Sequence, residues 1–277
     1  MVANPRQLAL ISQHDRKSDR TDAEWLARLA RVDPQLLAPV TPRDAQTQAD
    51  RTLISSRDTL VRMRTLLVNH VRGTAKAFGL RLSKCSAGSL GKRVAAEIPP
   101  ALQPSLSPIL EQITMLTSRI REYDRQIEAV SEERYPATRH LRQIRGVGPI
   151  SALAFVLAIG DPRRFTKSRK VGSYVGLAPR RDQSGDTDKQ LRITKAEDPL
   201  LRKLLLQCAH YQLGPFGEDS DLRRWAHKKS EHGGASARKR ALVAVARKLA
   251  VRMHRIWITG EIYDPLRLAK ARGELTP

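Results

Sequence analysis

The chain has 277 residues, and its 50 lysines and arginines against 28 acids give a formal net charge of +22. That excess is typical of proteins that bind a polyanion, usually nucleic acid, and the aromatic content of 4% favours phosphate contact over base stacking. Two cysteines argue against a disulfide framework, no histidine spacing resembles a zinc site, and no apolar run is long enough to span a bilayer.

The first predicted helix begins near two aspartates. Thr21 and Glu24 fit a capping box, in which a hydroxyl and a carboxylate exchange hydrogen bonds with first-turn amides. Asp19 and Asp22 then remain as favourable charges near the helix start. Two aspartates three residues apart can also share a hard cation when both face the same side, so both interpretations stay open.

Two long helices are predicted next. The first should span about residues 46–78, and a loop region rich in Ser, Gly and Pro, residues 79–105, should follow with one short helix. In the second helix apolar residues alternate steps of three and four, the heptad pattern of a coiled coil. These residues are Leu106, Ile109, Ile113, Leu116, Ile120, Tyr123, Ile127 and Val130. We expect an antiparallel hairpin or a dimerising stalk.

Beyond Pro136 the pattern predicts a helix, a tight turn and another helix. Gly146 and Gly148 permit a sharp turn and leave amides exposed at the start of the second helix, where they can hold a phosphate. The alternative is an ordinary helix–helix turn. The segment from Pro162 to Arg181 carries seven basic residues and no acid, which favours phosphate contact.

Residues 176–185 have no apolar periodicity and contain one hydroxyl, that of Ser184. If it attacked a phosphodiester, Arg180, Arg181, Arg192 or Lys195 would stabilise the additional negative charge. Alternatively, the serine and the glycine after it form only a turn.

Two helices should complete the chain. Asp198 followed by Pro199 predicts an N-cap and first helical residue, and leucines then fall on one face. The last helix carries seven basic residues and no acid between Arg238 and Arg255, opposite an apolar stripe. This pattern suits a helix lying on a nucleic-acid backbone. The candidate contacts are Arg238, Lys239 and Arg240.

Taken in order, these motifs resemble the insertion-sequence transposases of the IS-110/IS-116/IS-902 family. Upstream, residues 17–23 resemble the end of the family's first domain, and the long helices resemble its coiled-coil spacer. Between residues 140 and 265 the matching residues are Ile144–Pro149, Phe165, Gly176–Pro179, Ser184, Gly185, Ile193–Lys195, Leu201, Arg202 and Lys239–Ala250.

The resemblance implies a DNA recombinase with a composite active site. The family's RNase-H-like domain binds Mg²⁺ through four acids in the order Asp, Glu, Asp, Asp, of which Asp19 and Asp22 match the last two. Ser184 matches the serine that attacks DNA and becomes covalently joined to it. Family members act as oligomers in which acids and serine come from different subunits, and a structured bridge RNA guides them. We therefore expect DNA and a guide RNA as partners, and a dimer or tetramer formed through the long helices.

Two departures from the family pattern stand out. The first Asp and the Glu should precede Asp19, and this chain lacks residues to supply them, so we expect an N-terminally truncated transposase that is inactive or incomplete. Two carboxylates alone would position magnesium and a scissile phosphate poorly. In addition, Ala196-Glu197-Asp198 stands where the family usually has a basic residue and a glycine after the lysine.

The expected protein is mostly α-helical. Residues 1–45 would be the remnant of an RNase-H-like catalytic domain, residues 46–135 a long antiparallel coiled-coil hairpin, and residues 136–277 a C-terminal transposase domain with a helix-hairpin-helix-like turn. We expect it in the bacterial cytoplasm, on the nucleoid when bound to DNA. The alternative function is a non-catalytic basic nucleic-acid-binding protein. A third hypothesis is a coiled-coil scaffold whose charge only keeps it soluble.

Overall fold

The computed structural model describes residues 2–4, 8, 18–37, 39–40, 42–184, 187–231 and 233–274, with only the backbone described at residues 187 and 190. The chain separates into two compact units, residues 1–49 and 50–277. Helices dominate the described residues, as the sequence predicts. None of these helices is both long and apolar enough to cross a membrane.

The regular elements follow one another with short connections. The helices are α1 (Asp19–Val32), α2 (Ala45–Ala77), α3 (Leu90–Arg93), α4 (Gln103–Arg134), α5 (Ala137–Leu141), α6 (Pro149–Ile159), α7 (Arg169–Tyr174), α8 (Pro199–Leu213), α9 (Asp221–Ser230), α10 (Gly234–Thr259) and α11 (Arg267–Ala271). Among the described residues the only sheet is a pair of antiparallel strands, β1 (Pro179–Ser184) and β2 (Thr187–Ile193).

The unit of residues 1–49 has few buried side chains in its described part. It contains α1, a 3₁₀ turn at Pro34–Leu37 and an isolated bridge between Val2 and Val40. Helix α1 buries none of its residues, and the buried apolar side chains described in this unit are Leu8 and Leu37. The RNase-H-like origin of this unit stays a prediction.

The start of α1 differs from the prediction. The helix begins at Asp19, because the hydroxyl of Ser18 accepts the amide hydrogen of Thr21 at 3.2 Å and caps the first turn. The capping box with Thr21 as the cap is therefore wrong. Glu24 instead pairs with Arg28 at 2.6 Å, one turn further along the helix.

Helices α2 and α4 run antiparallel. Arg57 of α2 donates to the carboxylate of Asp124 in α4 at 2.8 Å. Nearer the start of α2, the buried carboxylate of Asp50 accepts from Arg134, at the end of α4, at 2.9 Å. Residue numbers therefore rise along one helix as they fall along the other, which is the direction predicted for the hairpin. Supercoiled coiled-coil packing stays a prediction.

The unit of residues 50–277 holds two buried apolar clusters. The smaller one joins the second half of α2, residues 80–102 and the first half of α4. The larger one surrounds α6, in which every residue from Ala152 to Ile159 is buried, and it includes the apolar faces of α8 and α10. Because α6 is apolar on all sides, it can only be stable in the middle of a core.

Strands β1 and β2 pair antiparallel and are together called the hairpin below, whereas the sequence predicts a loop over these residues. Pro179 lies opposite Ile193, and Ser184 lies opposite Thr187. Gly185, part of the turn expected as the alternative at Ser184, lies outside the described residues. Most described side chains of the two strands are exposed. Strands without a buried face show no alternation of apolar and polar residues, so periodicity could not reveal them.

Candidate nucleic-acid interface

The base of the hairpin is held by the segment that precedes α8. The amide of Thr194 donates to the carbonyl of Ala178 at 2.9 Å, and that of Lys195 donates to the carbonyl of Gly176 at 3.1 Å. Gly176 has a φ of +70°, and a Cβ there would lie 2.4 Å from the backbone nitrogen of Ala196. Only glycine permits this close crossing, so Gly176 determines where the hairpin leaves the core.

Arg202 ties the hairpin base to α8. Its side chain is buried, and its guanidinium donates to the carbonyls of Ala196 at 2.6 Å and Val175 at 3.2 Å. Burial lowers the pKa of Arg202, and nearby Asp198 opposes that change. Arginine nevertheless stays protonated at neutral pH, so both hydrogen bonds are charge-assisted. In the sequence Arg202 stands out only as part of the family pattern, and no local signal predicts this role.

The connection between β2 and α8 contains two residues with left-handed backbone. Lys195 has a φ of +54° and Glu197 a φ of +56°, which is uncommon for residues other than glycine. In the family pattern a glycine stands at the position of Glu197. The left-handed backbone at this position explains why glycine is favoured there. Asp198 then caps α8 as predicted, accepting from the amides of Leu200 and Leu201.

Ser184 is exposed and is the last residue of β1. Opposed residues of antiparallel strands share a face, and neighbours along a strand alternate faces. Asp182 and Lys189, which lie opposite each other, therefore share the face of Ser184. Lys189 is exposed and is the cation that the register places nearest the serine on this face. Lys189 is not among the cations predicted from the sequence, since only the strand register distinguishes it from its neighbours.

The four cations predicted around Ser184 lie at different places. Arg181 lies on the opposite face of β1 and pairs with Asp188 at 3.3 Å. Arg180 is four residues from Ser184 along the strand, a separation of about 13 Å. Arg192 and Lys195 lie at or beyond the base of the hairpin. The hairpin thus presents Ser184 beside Lys189, with the predicted cations spread along its length.

A cationic surface is provided by residues 163–181, which run from before α7 into strand β1. Within the described residues none of its exposed side chains other than Arg181 forms an ion pair with a carboxylate. These exposed residues are Arg163, Arg164, Lys167, Arg169, Lys170, Arg180 and Arg181. Arg164 lies over two aromatic rings, with its guanidinium carbon 4.7 Å from the centroid of Phe165 and 4.4 Å from that of Tyr174. This surface is available for phosphate contacts.

The connection between α5 and α6 contains Gly146 and Gly148, and the helix-hairpin-helix-like turn expected there stays a prediction. Gly146 has a φ of +87°, and a Cβ there would lie 2.8 Å from the ring of Tyr211. Gly148 is the N-cap residue of α6 and Pro149 its first residue, while the amide of Ala152 bonds to the carbonyl of Gly148. The first-turn amides of α6 face the helix end at which anions are stabilised. Phosphate binding by Gly146 and Gly148 stays a prediction.

Helix α10 presents part of its predicted cationic face. Arg238, Lys239 and Arg240 are exposed in its first turns. At the other end, Arg255 pairs with Glu261 at 3.1 Å, so that charge is compensated within the chain. The apolar stripe on the other side of α10 is buried, as predicted.

The aspartates proposed as metal ligands lie in the first turn of α1. Asp19 and Asp22 are three residues apart on a helix, so both project from the same side. Among the described residues, no three His, Cys, Asp or Glu side chains are grouped closely enough to hold a metal ion. Two carboxylates fit part of a magnesium shell, which usually also includes water and substrate phosphate oxygens.

Comparison with known proteins identifies the class of protein that these motifs represent. A model described as the transposase IS116/IS110/IS902 family matches residues 138–220, and a second transposase model, of the DEDD type, matches residues 1–78. The transposase for insertion sequence element IS1328 of Yersinia enterocolitica is 31% identical over 240 residues, which are 82% of this chain and 70% of the relative. The chain therefore belongs to the IS116/IS110/IS902 family of insertion-sequence transposases, as its motifs predict.

Two further relatives support this membership. The transposase for insertion sequence element IS1111A of Coxiella burnetii is 31% identical over 247 residues, 84% of this chain and 65% of the relative. A probable family 20 transposase of Pseudomonas aeruginosa is 32% identical over 217 residues, 76% of this chain and 63% of the relative. The chain thus spans slightly less than two thirds of the length of these two relatives.

Proposed function

We propose that this protein takes part in cutting and joining DNA, with Ser184 as the nucleophile. The observation that supports this most directly is the exposed position of Ser184 at the end of β1, in a hairpin whose base is held by Gly176 and Arg202. A hydroxyl that projects from a rigid base can reach a phosphorus atom in a duplex without requiring the core to open.

The proposed step is a transesterification. The hydroxyl oxygen of Ser184 forms a bond to phosphorus, the bond from phosphorus to one deoxyribose oxygen breaks, and that oxygen receives the proton that serine loses. Phosphodiester is exchanged for phosphodiester, so no further reactant is needed. Lys189, on the same face, is placed to stabilise the negative charge that develops on the phosphoryl oxygens. The exposed cations of residues 163–181, with Gly146, Gly148 and α10, would hold the flanking backbone.

Asp19 and Asp22 are proposed as magnesium ligands. They would supply two carboxylate oxygens, and the bound ion would neutralise charge on the scissile phosphate. The family resemblance assigns acids and serine to different subunits, so the site would be completed by oligomerisation through α2 and α4. The proposed domains are an RNase-H-like remnant at residues 1–45, a coiled-coil spacer at residues 46–135 and the serine domain at residues 136–277. We also propose that the protein binds a guide RNA.

The nucleophile is tested by trapping the covalent adduct. The chain, and a version extended upstream to include the remaining acids, are incubated with labelled element-end DNA, guide RNA and magnesium, then separated under denaturing conditions. We expect an adduct that disappears in Ser184→Ala and persists in Ser173→Ala, a matched control at another exposed serine. An adduct that persists in Ser184→Ala refutes the nucleophile assignment.

A second candidate function is binding of nucleic acid without cleavage. The seven exposed cations of residues 163–181 favour it, because phosphate contact requires no catalytic group. In that case affinity should fall steeply as salt rises, and the extended version should leave DNA intact with or without magnesium.

A further inference from the structure

One side of α2 lies against the start of α8. The guanidinium of Arg51 donates to the carboxylate of Asp198 at 2.8 Å. One turn further along α2, Ile54 is buried in the larger apolar cluster, and one turn beyond it the carboxylate of Asp58 accepts from Lys203. Arg51, Ile54 and Asp58 are separated by three and four residues, which places them on the same side of the helix. Two ion pairs with a buried residue between them therefore fix this stretch of α2 on the first turns of α8.

The carboxylate of Asp198 serves two helices at once. One oxygen caps α8 by accepting from the amides of Leu200 and Leu201, and the other accepts from Arg51. Another nitrogen of the Arg51 guanidinium donates to the carbonyl of Leu157 in α6 at 3.5 Å. The pair is partly buried, with 26% of the Arg51 side chain and 23% of the Asp198 side chain exposed, so salt screens it less than a surface pair. The position of Asp198 is thus set from α2 as well as from α8.

Asp198 ends the connection through which the chain enters α8 from the hairpin. Four residues separate it from Ile193, the last residue of β2. Two of these four, Lys195 and Glu197, have left-handed backbone, which persists only where the surrounding structure holds it. Arg202 of α8 holds the connection by donating to one of its carbonyls. The carboxylate of Asp198, held from α2, provides a second restraint at the end of the same connection.

We propose that Arg51 is a positioning residue for the hairpin that carries Ser184. By holding Asp198 it fixes the end of the connection that follows β2, and so links the long helix α2 to the strand paired with that of Ser184. The inference deepens the proposed function and rests on it, because the hairpin needs an exact position only if Ser184 is the nucleophile. Without Arg51 the strands should stay paired but leave the core at a less constant angle, so the hydroxyl would reach phosphorus in the reactive geometry less often.

Hydrogen exchange measures the hairpin base directly. In Arg51→Gln the amides of Thr194 and Lys195 should exchange about three- to tenfold faster, because one restraint on the connection is lost. The matched control is Arg57→Gln. Arg57 lies in the same helix and is similarly exposed, but it pairs with Asp124 of α4 and not with α8. Its loss should leave the exchange of the two amides unchanged.

A variant of the partner separates the ion pair from the cap. Asp198→Asn keeps an oxygen that can accept from the first amides of α8 but removes the charge that Arg51 meets. It should speed the exchange at least as much as Arg51→Gln, because the carboxylate also favours the charged form of Arg202. The double variant should exchange no faster than Asp198→Asn alone, since both changes break one interaction. Two effects that multiply in the double variant would show that Arg51 acts apart from Asp198 and would overturn the proposal.

The adduct assay supplies a readout that a loss of stability alone would not move. In the version extended upstream, Arg51→Gln should slow formation of the adduct at Ser184 about three- to tenfold while the affinity for DNA stays within about twofold. Arg57→Gln should leave both unchanged. An unchanged rate of adduct formation in Arg51→Gln refutes the positioning role. So does exchange that rises by the same factor in the buried part of α10, because that result means general destabilisation.

The two proposals fail in different ways. If no adduct forms, or if it persists in Ser184→Ala, the proposed nucleophile is wrong, and the exchange comparison still decides whether Arg51 holds the hairpin base. If exchange at the hairpin base is the same in Arg51→Gln as in the unchanged chain, the role of Arg51 is wrong whether or not the adduct forms.

Discussion

Replacing Gly176 with alanine should detach the hairpin from its base. The new Cβ would lie 2.4 Å from the nitrogen and 2.5 Å from the oxygen of Ala196, in a residue whose φ is +70°. The left-handed backbone costs about 1–2 kcal/mol and the forced contact about 1–3 kcal/mol, while the stiffer unfolded chain returns about 0.4–1 kcal/mol. The expected net loss of folding free energy is about 3 kcal/mol.

Urea denaturation and hydrogen exchange measure the effect. The amides of Thr194 and Lys195, which bond across the base, should exchange faster in Gly176→Ala. Gly73→Ala is the matched control, because Gly73 lies inside α2 with nothing within 4 Å of its Cβ position. That control should gain about 0.5–1 kcal/mol. If the two alanine variants have the same stability, the reasoning about the hairpin base is wrong.

Three further predictions concern the left-handed backbone at Glu197 and the buried thiol of Cys208. Glu197→Gly should raise the unfolding free energy by about 0.5–1 kcal/mol, because glycine adopts the left-handed backbone at φ +56° without strain. Glu197→Ala removes the charge but keeps the strain, so its unfolding free energy should not rise. Equal gains for the two variants in urea denaturation would contradict this prediction. Burial raises the pKa of the Cys208 thiol. The unfolded thiol loses its proton near its ordinary pKa of about 8.5, whereas the folded thiol keeps its proton to higher pH. The free energy of unfolding should therefore be unaffected by this group below that pH and should fall as pH rises from there towards the pKa of the folded protein. This fall should be absent in Cys208→Ala. In the folded protein iodoacetamide should modify the partly exposed Cys85 and spare Cys208, and equal rates by mass spectrometry would contradict the burial argument.

Local patterns were sufficient for the helices and for the family. The periodicity of apolar residues predicted α2 and α4 to within a few residues at each end, and Asp198 with Pro199 predicted the start of α8. A helix repeats its environment every few residues, so its buried face is visible in the sequence. The family motifs needed no structure for their recognition, because they depend on residue identity and order.

The arrangement of the candidate site depended on the tertiary structure. Ser18 and Thr21 are both suitable caps, and the sequence could not decide between them. The register of β1 and β2 placed Lys189 on the face of Ser184 and Arg181 on the other, although Arg181 is closer in sequence. Gly176 and Arg202 meet Ala196 only because the chain crosses itself at the hairpin base. Sequence patterns record which residues repeat a local environment, whereas contacts between distant segments arise only when the core brings those segments together.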